Sequence, residues 1–169
     1  MKTIKVKIWD EVPKGYTGIM ETTIGDKFWF LNGILHREDG PAIERINGTK
    51  EWYLNNQLHR VDGPAIEYFD GSKLWYLDGK AHRIDGPAVE WADGNKVWYL
   101  NGKYHREDGP AVDNVNGTKY WYSNGKKHRI DGPAIEGAND YKEYYINGEK
   151  VIKEAQEVLY GLYKLKGIK

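Results

Sequence analysis

At 169 residues the chain has the length of about one domain. Lys plus Arg and Asp plus Glu number 25 each, so the formal charge is zero, which argues against a nucleic-acid binder relying on phosphate neutralisation. There is no cysteine, hence no disulfide framework or thiol chemistry, and no apolar run approaches the ~18 residues of a membrane span. With no apolar leader at its start, the protein is expected to be cytoplasmic.

Residues 1–35 read as a start cap. Ile4, Val6 and Ile8 alternate with Lys5 and Lys7, the pattern of a half-buried strand. Over residues 36–150 one phrase is written five times. His36, His59, His82, His105 and His128 each open a copy, at a constant interval of 23 residues. Within the cap, Gly25, Lys27, Trp29, Phe30, Asn32 and Gly33 form a degraded copy of that phrase, as terminal repeats do when one side has no neighbour.

Each copy has two blocks. The first is His-Arg-x-Asp-Gly-Pro-Ala-(Ile/Val)-acid, as in His59, Arg60, Asp62, Gly63, Pro64, Ala65, Ile66 and Glu67. The second, Gly-x-Lys-x-Trp-Tyr-x-(Asn/Asp)-Gly, carries the tryptophan column Trp29, Trp52, Trp75, Trp98 and Trp121. Most of the 7 Trp and 13 Tyr of the chain come from this repetition. Asp-Gly and Asn-Gly pairs such as Asp70-Gly71 and Asp78-Gly79 supply the positive φ angles of tight hairpin turns. Proline in Asp-Gly-Pro, lacking a backbone donor, marks a strand start or edge.

Two-residue turns at both sites place Ile66 opposite Trp75, Glu67 opposite Leu74 and Ala65 opposite Tyr76, then Trp75 opposite His82 and Tyr76 opposite Ala81. The tryptophan row is then the expected core-facing ladder, each ring contributing a few kcal/mol when buried. After Gly148 the period changes. Val151, Ile152, Ala155, Val158, Leu159, Leu162 and Tyr163 recur at helical steps over about 149–166. Glu149 and Glu154 stand early and Lys164 and Lys166 late, which suits the helix dipole. The predicted fold is mainly β, an elongated, twisted antiparallel sheet of stacked hairpins closed by a C-terminal capping helix, in a single domain.

The residues x-Trp-Tyr-x-Asn-Gly-Lys-x-His…Gly-Pro-Ala over about 21–150 resemble MORN and MORN-like repeats. The resemblance is to the bacterial and viral variety related to antitoxin-type MORN proteins. Arrays written His-Arg-x-Asp-Gly-Pro-Ala are similar to proteins of phages and large DNA viruses. The resemblance implies stacked hairpins used for protein contact or, in some eukaryotic relatives, lipid contact. The His-Arg-x-Asp segment is absent from the commonest MORN pattern.

His and Asp three residues apart in every copy raise metal or acid–base chemistry. A residue present in all units is more simply part of the unit's packing, with His36, His59, His82, His105 and His128 set against the preceding Trp and Asp bonded to its own Gly-Pro turn. No nucleotide-binding or nucleophile motif is present, so no catalytic residue, metal or cofactor is expected. Function is sought where the copies differ: Arg45, Tyr68, Trp91, Asn114, Gly137; Ile46, Phe69, Ala92, Val115, Ala138; and Glu51, Leu74, Val97, Tyr120, Glu143. From these columns Tyr68, Phe69, Leu74, Trp91, Val97 and Tyr120 form the candidate binding surface. The competing reading has them complete the core or cover the sheet's second face. The expected function is a non-enzymatic scaffold that binds a protein, a host or toxin component if the phage-like resemblance holds. The alternatives are a small-ligand or carbohydrate binder using the aromatic columns and, less favoured, a metal-dependent enzyme. Edge strands leave room for self-association.

Overall fold

The computed structural model describes residues 3–6 and 12–166. Ile8 and Lys7 of the expected first strand lie outside them. The protein is mainly β, with 23 strands and one helix among the described residues. The chain divides into two compact units, Met1–His82 and Arg83–Lys169.

In the first unit β1 (Thr3–Val6), β2 (Gly18–Thr22) and β3 (Lys27–Leu31), with β4 (Ile34–Leu35) beside β3, precede the repeats. The sheet continues through β5 (Ile43–Glu44) and β6 (Lys50–Glu51). Two short strands, β7 (Tyr53–Leu54) and β8 (Gln57–Leu58), then pair off the sheet as a separate hairpin. The next copy repeats this with β9 (Ile66–Glu67) and β10 (Lys73–Leu74) in the sheet and β11 (Tyr76–Leu77) and β12 (Lys80–Ala81) outside it. The β1–β2 pair is parallel, Thr3 against Ile19, so the sheet is mixed where a purely antiparallel one was predicted.

The second unit has the same logic. Its sheet is built of β13 (Val89–Glu90), β14 (Lys96–Val97), β17 (Val112–Asp113), β18 (Lys119–Tyr120), β21 (Ile135–Glu136), β22 (Lys142–Ile146) and β23 (Glu149–Val151). The intervening hairpins are β15 (Tyr99–Leu100) with β16 (Lys103–Tyr104), and β19 (Tyr122–Ser123) with β20 (Lys126–Lys127).

The two turns of each copy are different. At Asp78-Gly79 both residues have positive φ, 48° and 72°, and Tyr76 faces Ala81 across a two-residue turn, as predicted. The Asp70-Gly71 turn has three residues, Phe69, Asp70 and Gly71. Only Gly71 has positive φ, at 92°. The Tyr68 N–H donates to the Ser72 carbonyl at 2.9 Å, and Asp70 Oδ1 accepts the Ser72 N–H at 2.8 Å. The extra residue sets Ile66 opposite Leu74 and Glu67 opposite Lys73. The predicted pairs Ile66–Trp75, Glu67–Leu74 and Ala65–Tyr76 are therefore displaced by one position, and a one-residue slip exchanges the faces of a strand.

That slip moves the core. Fully buried positions are the Ala-(Ile/Val) column: Ala42, Ile43, Ala65 and Ile66 in the first unit, Ala88, Val89, Ala111, Ala134 and Ile135 in the second. Leu74 joins them, and Met20, Phe28, Phe30 and Ile43 form the core cluster beside the start cap. Trp29 alone of the tryptophan column is buried, while Trp52, Trp75, Trp98 and Trp121 are half-buried, so the tryptophan row is not the core ladder.

The helix α1 spans Lys153–Leu165, shorter at its start than predicted. Asn147-Gly148 forms one more positive-φ turn and returns Glu149–Val151 to β22 as β23. The helix packs on β22, with Glu154 in its first turn and Lys164 in its last. Gln156 is its one buried residue, and its side-chain amide donates to the Ile130 carbonyl. Among the described residues no helix is long and apolar enough to cross a membrane.

Candidate binding surface

The His-Arg-x-Asp-Gly-Pro block is organised by its arginine. In the first unit the Arg60 guanidinium carbon stands 4.0 Å over the Trp52 ring centroid. Its Nε donates to Asp62 at 3.0 Å, and one Nη donates to the Pro64 carbonyl at 3.2 Å and to Glu67 at 2.9 Å. Gly63 lies against the other side: a Cβ there would stand 3.0 Å from the guanidinium carbon. Arg37 is held alike by Trp29, Asp39, Pro41, Glu44 and Gly40. In the second unit Arg129 repeats the set with Trp121, Asp131, Pro133, Glu136 and Gly132. Arg106 keeps Trp98, Asp108, Pro110 and Gly109, with the shorter Asp113 where the others have Glu.

Four recurrent letters of the repeat, the Trp, the Asp, the Gly and an acid that is Glu in all copies but one, thus follow from one planar cation that needs an aromatic face, two carboxylates and a neighbour without a side chain, while the proline lends it only a backbone carbonyl. The expected bond from Asp to its own Gly-Pro turn gives way to the arginine as the Asp's partner. Arginine beside them holds the carboxyls of Asp39, Asp62, Asp85 and Asp108 below the usual carboxylate range.

The histidines tie the start of each copy to the last turn of the same copy. Nδ1 of His36 lies 3.1 Å from both the backbone N and Oδ1 of Asn55, and Nδ1 of His59 lies 2.8 Å from Asp78 Oδ1 and 3.2 Å from the Asp78 backbone N. Nδ1 of His105 and of His128 lies 3.1 and 3.0 Å from the backbone N of Asn124 and Asn147 respectively. The contact that defines each of these histidines is thus with the following turn, in addition to the backbone bond that His59 and His128 donate to Trp52 and Trp121. Burial pushes the His128 pKa down. Among the described residues no three His, Cys, Asp or Glu side chains gather in a metal-ligand arrangement.

The six candidate surface residues separate. Phe69 and Trp91 are exposed, at 69% and 43%, and belong to turns of the first and second unit respectively. Ile46 and Val115, from the same variable columns, are exposed as well. Leu74 is buried and is removed from the surface, because the register places it against Ile66. Val97 and Tyr120 belong to the same inner column, paired with Val89 and Val112, and are half-buried. Tyr68 is half-buried and its hydroxyl pKa is raised, chiefly by burial.

The inner column ends in carboxylates. Glu51 accepts from Arg45 at 3.0 Å and from the Tyr53 hydroxyl at 3.2 Å, and burial together with the Glu51 charge pushes the Tyr53 pKa up to about 12. Glu143 accepts from Lys150 and Tyr145, and the lysine's hydrogen bond leads the causes that bring its pKa down to about 2.

Two variable columns are not apparent as surface from the sequence. One is Leu35, Leu58, Ala81, Tyr104 and Lys127, opposite the repeated tyrosines of the second hairpin. There Tyr104 lies between Tyr99 and Tyr122, with ring centroids 4.5 and 4.9 Å away. The other is the free letter of the arginine loop, Glu38, Val61, Ile84, Glu107 and Ile130. Its variation is visible in the sequence, but the exposure of Glu38, Val61, Ile84 and Glu107 follows only from the loop geometry, and Ile130, beside Gln156 of the helix, is half-buried. No protein-family model matches the chain, and no curated protein matches its sequence.

Proposed function

We propose that the protein is a non-enzymatic repeat scaffold that binds another protein. The observation that carries this reading is the pair of exposed aromatics, Phe69 and Trp91, on turns whose backbone is fixed by repeated hydrogen bonds. The Phe69 N–H is tied to Thr49 Oγ1 and the Val115 N–H to Asn95 Oδ1, so neighbouring turns within each unit are locked while the side chains they present differ. Large, rigid aromatics on a pre-ordered frame bind with little loss of side-chain entropy. The MORN-like resemblance and a cytoplasmic, phage-type inhibitor of a host or toxin component belong to the same proposal, on the strength of the repeated phrase alone.

The carbohydrate-binding alternative draws less support, since Trp52, Trp98 and Trp121 each have an arginine over one ring face. The test is affinity capture from host lysate with the unaltered protein and with Phe69→Ser/Trp91→Ser, both shown to be folded. A partner held by the first and lost by the second supports the scaffold. Equal capture by both removes these aromatics from the surface.

A further inference from the structure

Between successive arginine loops the structure has open clefts of one composition. In the first unit a cleft of about 550 Å³ lies between the loops at 37–41 and 59–62, over Trp52 and Leu54. In the second unit one of about 660 Å³ lies between the loops at 83–87 and 105–108, over Trp98 and Leu100. The first cleft has Glu38 on one wall and Val61 on the other, and the second has Ile84 and Glu107. All four are nearly fully exposed: 85% and 91% for the side chains of Glu38 and Glu107, 84% and 87% for Val61 and Ile84.

The charge in the clefts is acidic although the chain as a whole is neutral. Each cleft is lined by two arginines and three carboxylates: Arg37, Arg60, Glu38, Asp39 and Asp62 in the first, Arg83, Arg106, Asp85, Glu107 and Asp108 in the second. The arginines are already engaged by their Asp, and Arg37, Arg60 and Arg83 also by Glu44, Glu67 and Glu90. Glu38 and Glu107 instead approach the imidazoles of His36 and His105, at 3.6 and 3.9 Å.

We propose that each cleft, by itself, is a subsite for a lysine or arginine side chain of a basic peptide segment in the partner. An apolar stem lies against Leu54 or Leu100 and the Val61 or Ile84 wall, and its cationic head meets Glu38 or Glu107. The chain already holds a cation beside carboxylates within itself, where Arg60 rests on Trp52 between Asp62 and Glu67. The inference rests on the protein-binding reading above and names the chemistry of the partner.

The test is titration of the full chain with acetyl-tetra-arginine amide at low salt, read by tryptophan fluorescence and calorimetry. The controls are its citrulline counterpart, arginine amide, and the variant Glu38→Gln/Glu107→Gln. Both substituted side chains are exposed, so the variant is expected to keep the parent's melting temperature. Tetra-arginine should bind, citrulline should not, and the variant should lose about threefold to tenfold in affinity. No binding of tetra-arginine, equal binding of citrulline, or unchanged affinity in the variant would each overturn the inference. Free arginine amide binding as tightly as the tetrapeptide would confine the site to a small cation and overturn the peptide partner. If tetra-arginine fails while the Phe69/Trp91 variant still loses its captured partner, the clefts are rejected and the scaffold reading stands.

Discussion

The arginine loops and the turns that carry Phe69 and Trp91 recur at the same interval and are built on opposite terms. In the loops two of the three guanidinium nitrogens, Nε and one Nη, have partners, and a Cβ at Gly40, Gly63, Gly109 or Gly132 would stand within about 3 Å of the guanidinium carbon. In the first four turns the backbone alone is specified, by one glycine of positive φ and one Asn or Asp cap, and the residue at the tip is Ile46, Phe69, Ala92 or Val115. The difference teaches where this repeat tolerates change. A residue is held constant where several groups converge on it and is free where only main chain is constrained.

Substitutions should reproduce that contrast in graded form. The largest loss is expected for Ile66→Ala, which empties a buried position of the first unit and should cost about 2–5 kcal/mol in chemical denaturation. Arg60→Ala comes next. It leaves the Pro64 carbonyl, Asp62 and Glu67 without their donor and uncovers Trp52, for about 1–3 kcal/mol by the same measurement. Phe69→Ser, at an exposed tip, should stay within about 0.5 kcal/mol of the parent. A tip substitution as costly as Arg60→Ala would erase the distinction.

Acid should act on the loops before the tips. Because burial lowers the His128 pKa in the folded chain, the unfolded chain binds more protons as pH falls below the ordinary value of 6.5. Stability is therefore full above that value and declines as pH drops toward the folded pKa. Protonating Nδ1 also removes the acceptor of the Asn147 N–H. Thermal melts between pH 7.5 and 5 should show a fall that is smaller in His128→Gln. The loop aspartates act lower on the scale: their lowered pKa values keep their contribution above the ordinary carboxylate range and lose it as pH falls through the folded values.

Much of this frame was legible in the sequence. The period, the two hairpins per copy, the register at Asp78-Gly79 and a C-terminal helix all follow from turn chemistry and spacing. The register at Asp70-Gly71 did not, because Asp-Gly serves both a two-residue turn and a three-residue turn with glycine last. The choice rests on Asp70 capping the Ser72 N–H, and it turns Leu74 inward. The fifth copy keeps this register but not the turn's backbone: without glycine, Asn139 and Asp140 are both at positive φ. The glycine of Asp-Gly-Pro was equally opaque. It has no positive φ, and its reason is the arginine that passes within about 3 Å of where a Cβ would stand. Of the candidate surface, Phe69 emerges exposed because it lies at the turn tip, where register does not decide burial, while Trp91 is exposed and Tyr68, at the same place in the preceding copy, is half-buried.

The most direct test of the arginine as the organising residue is a double-mutant cycle of Gly63→Ala with Arg60→Ala, followed by denaturant unfolding. If Gly63 is glycine only because Arg60 packs on it, Gly63→Ala should cost about 1 kcal/mol or more in the parent and almost nothing once Arg60 is alanine. Additive costs would mean that Gly63 answers to some other constraint and that the repeated phrase is not built around the arginine.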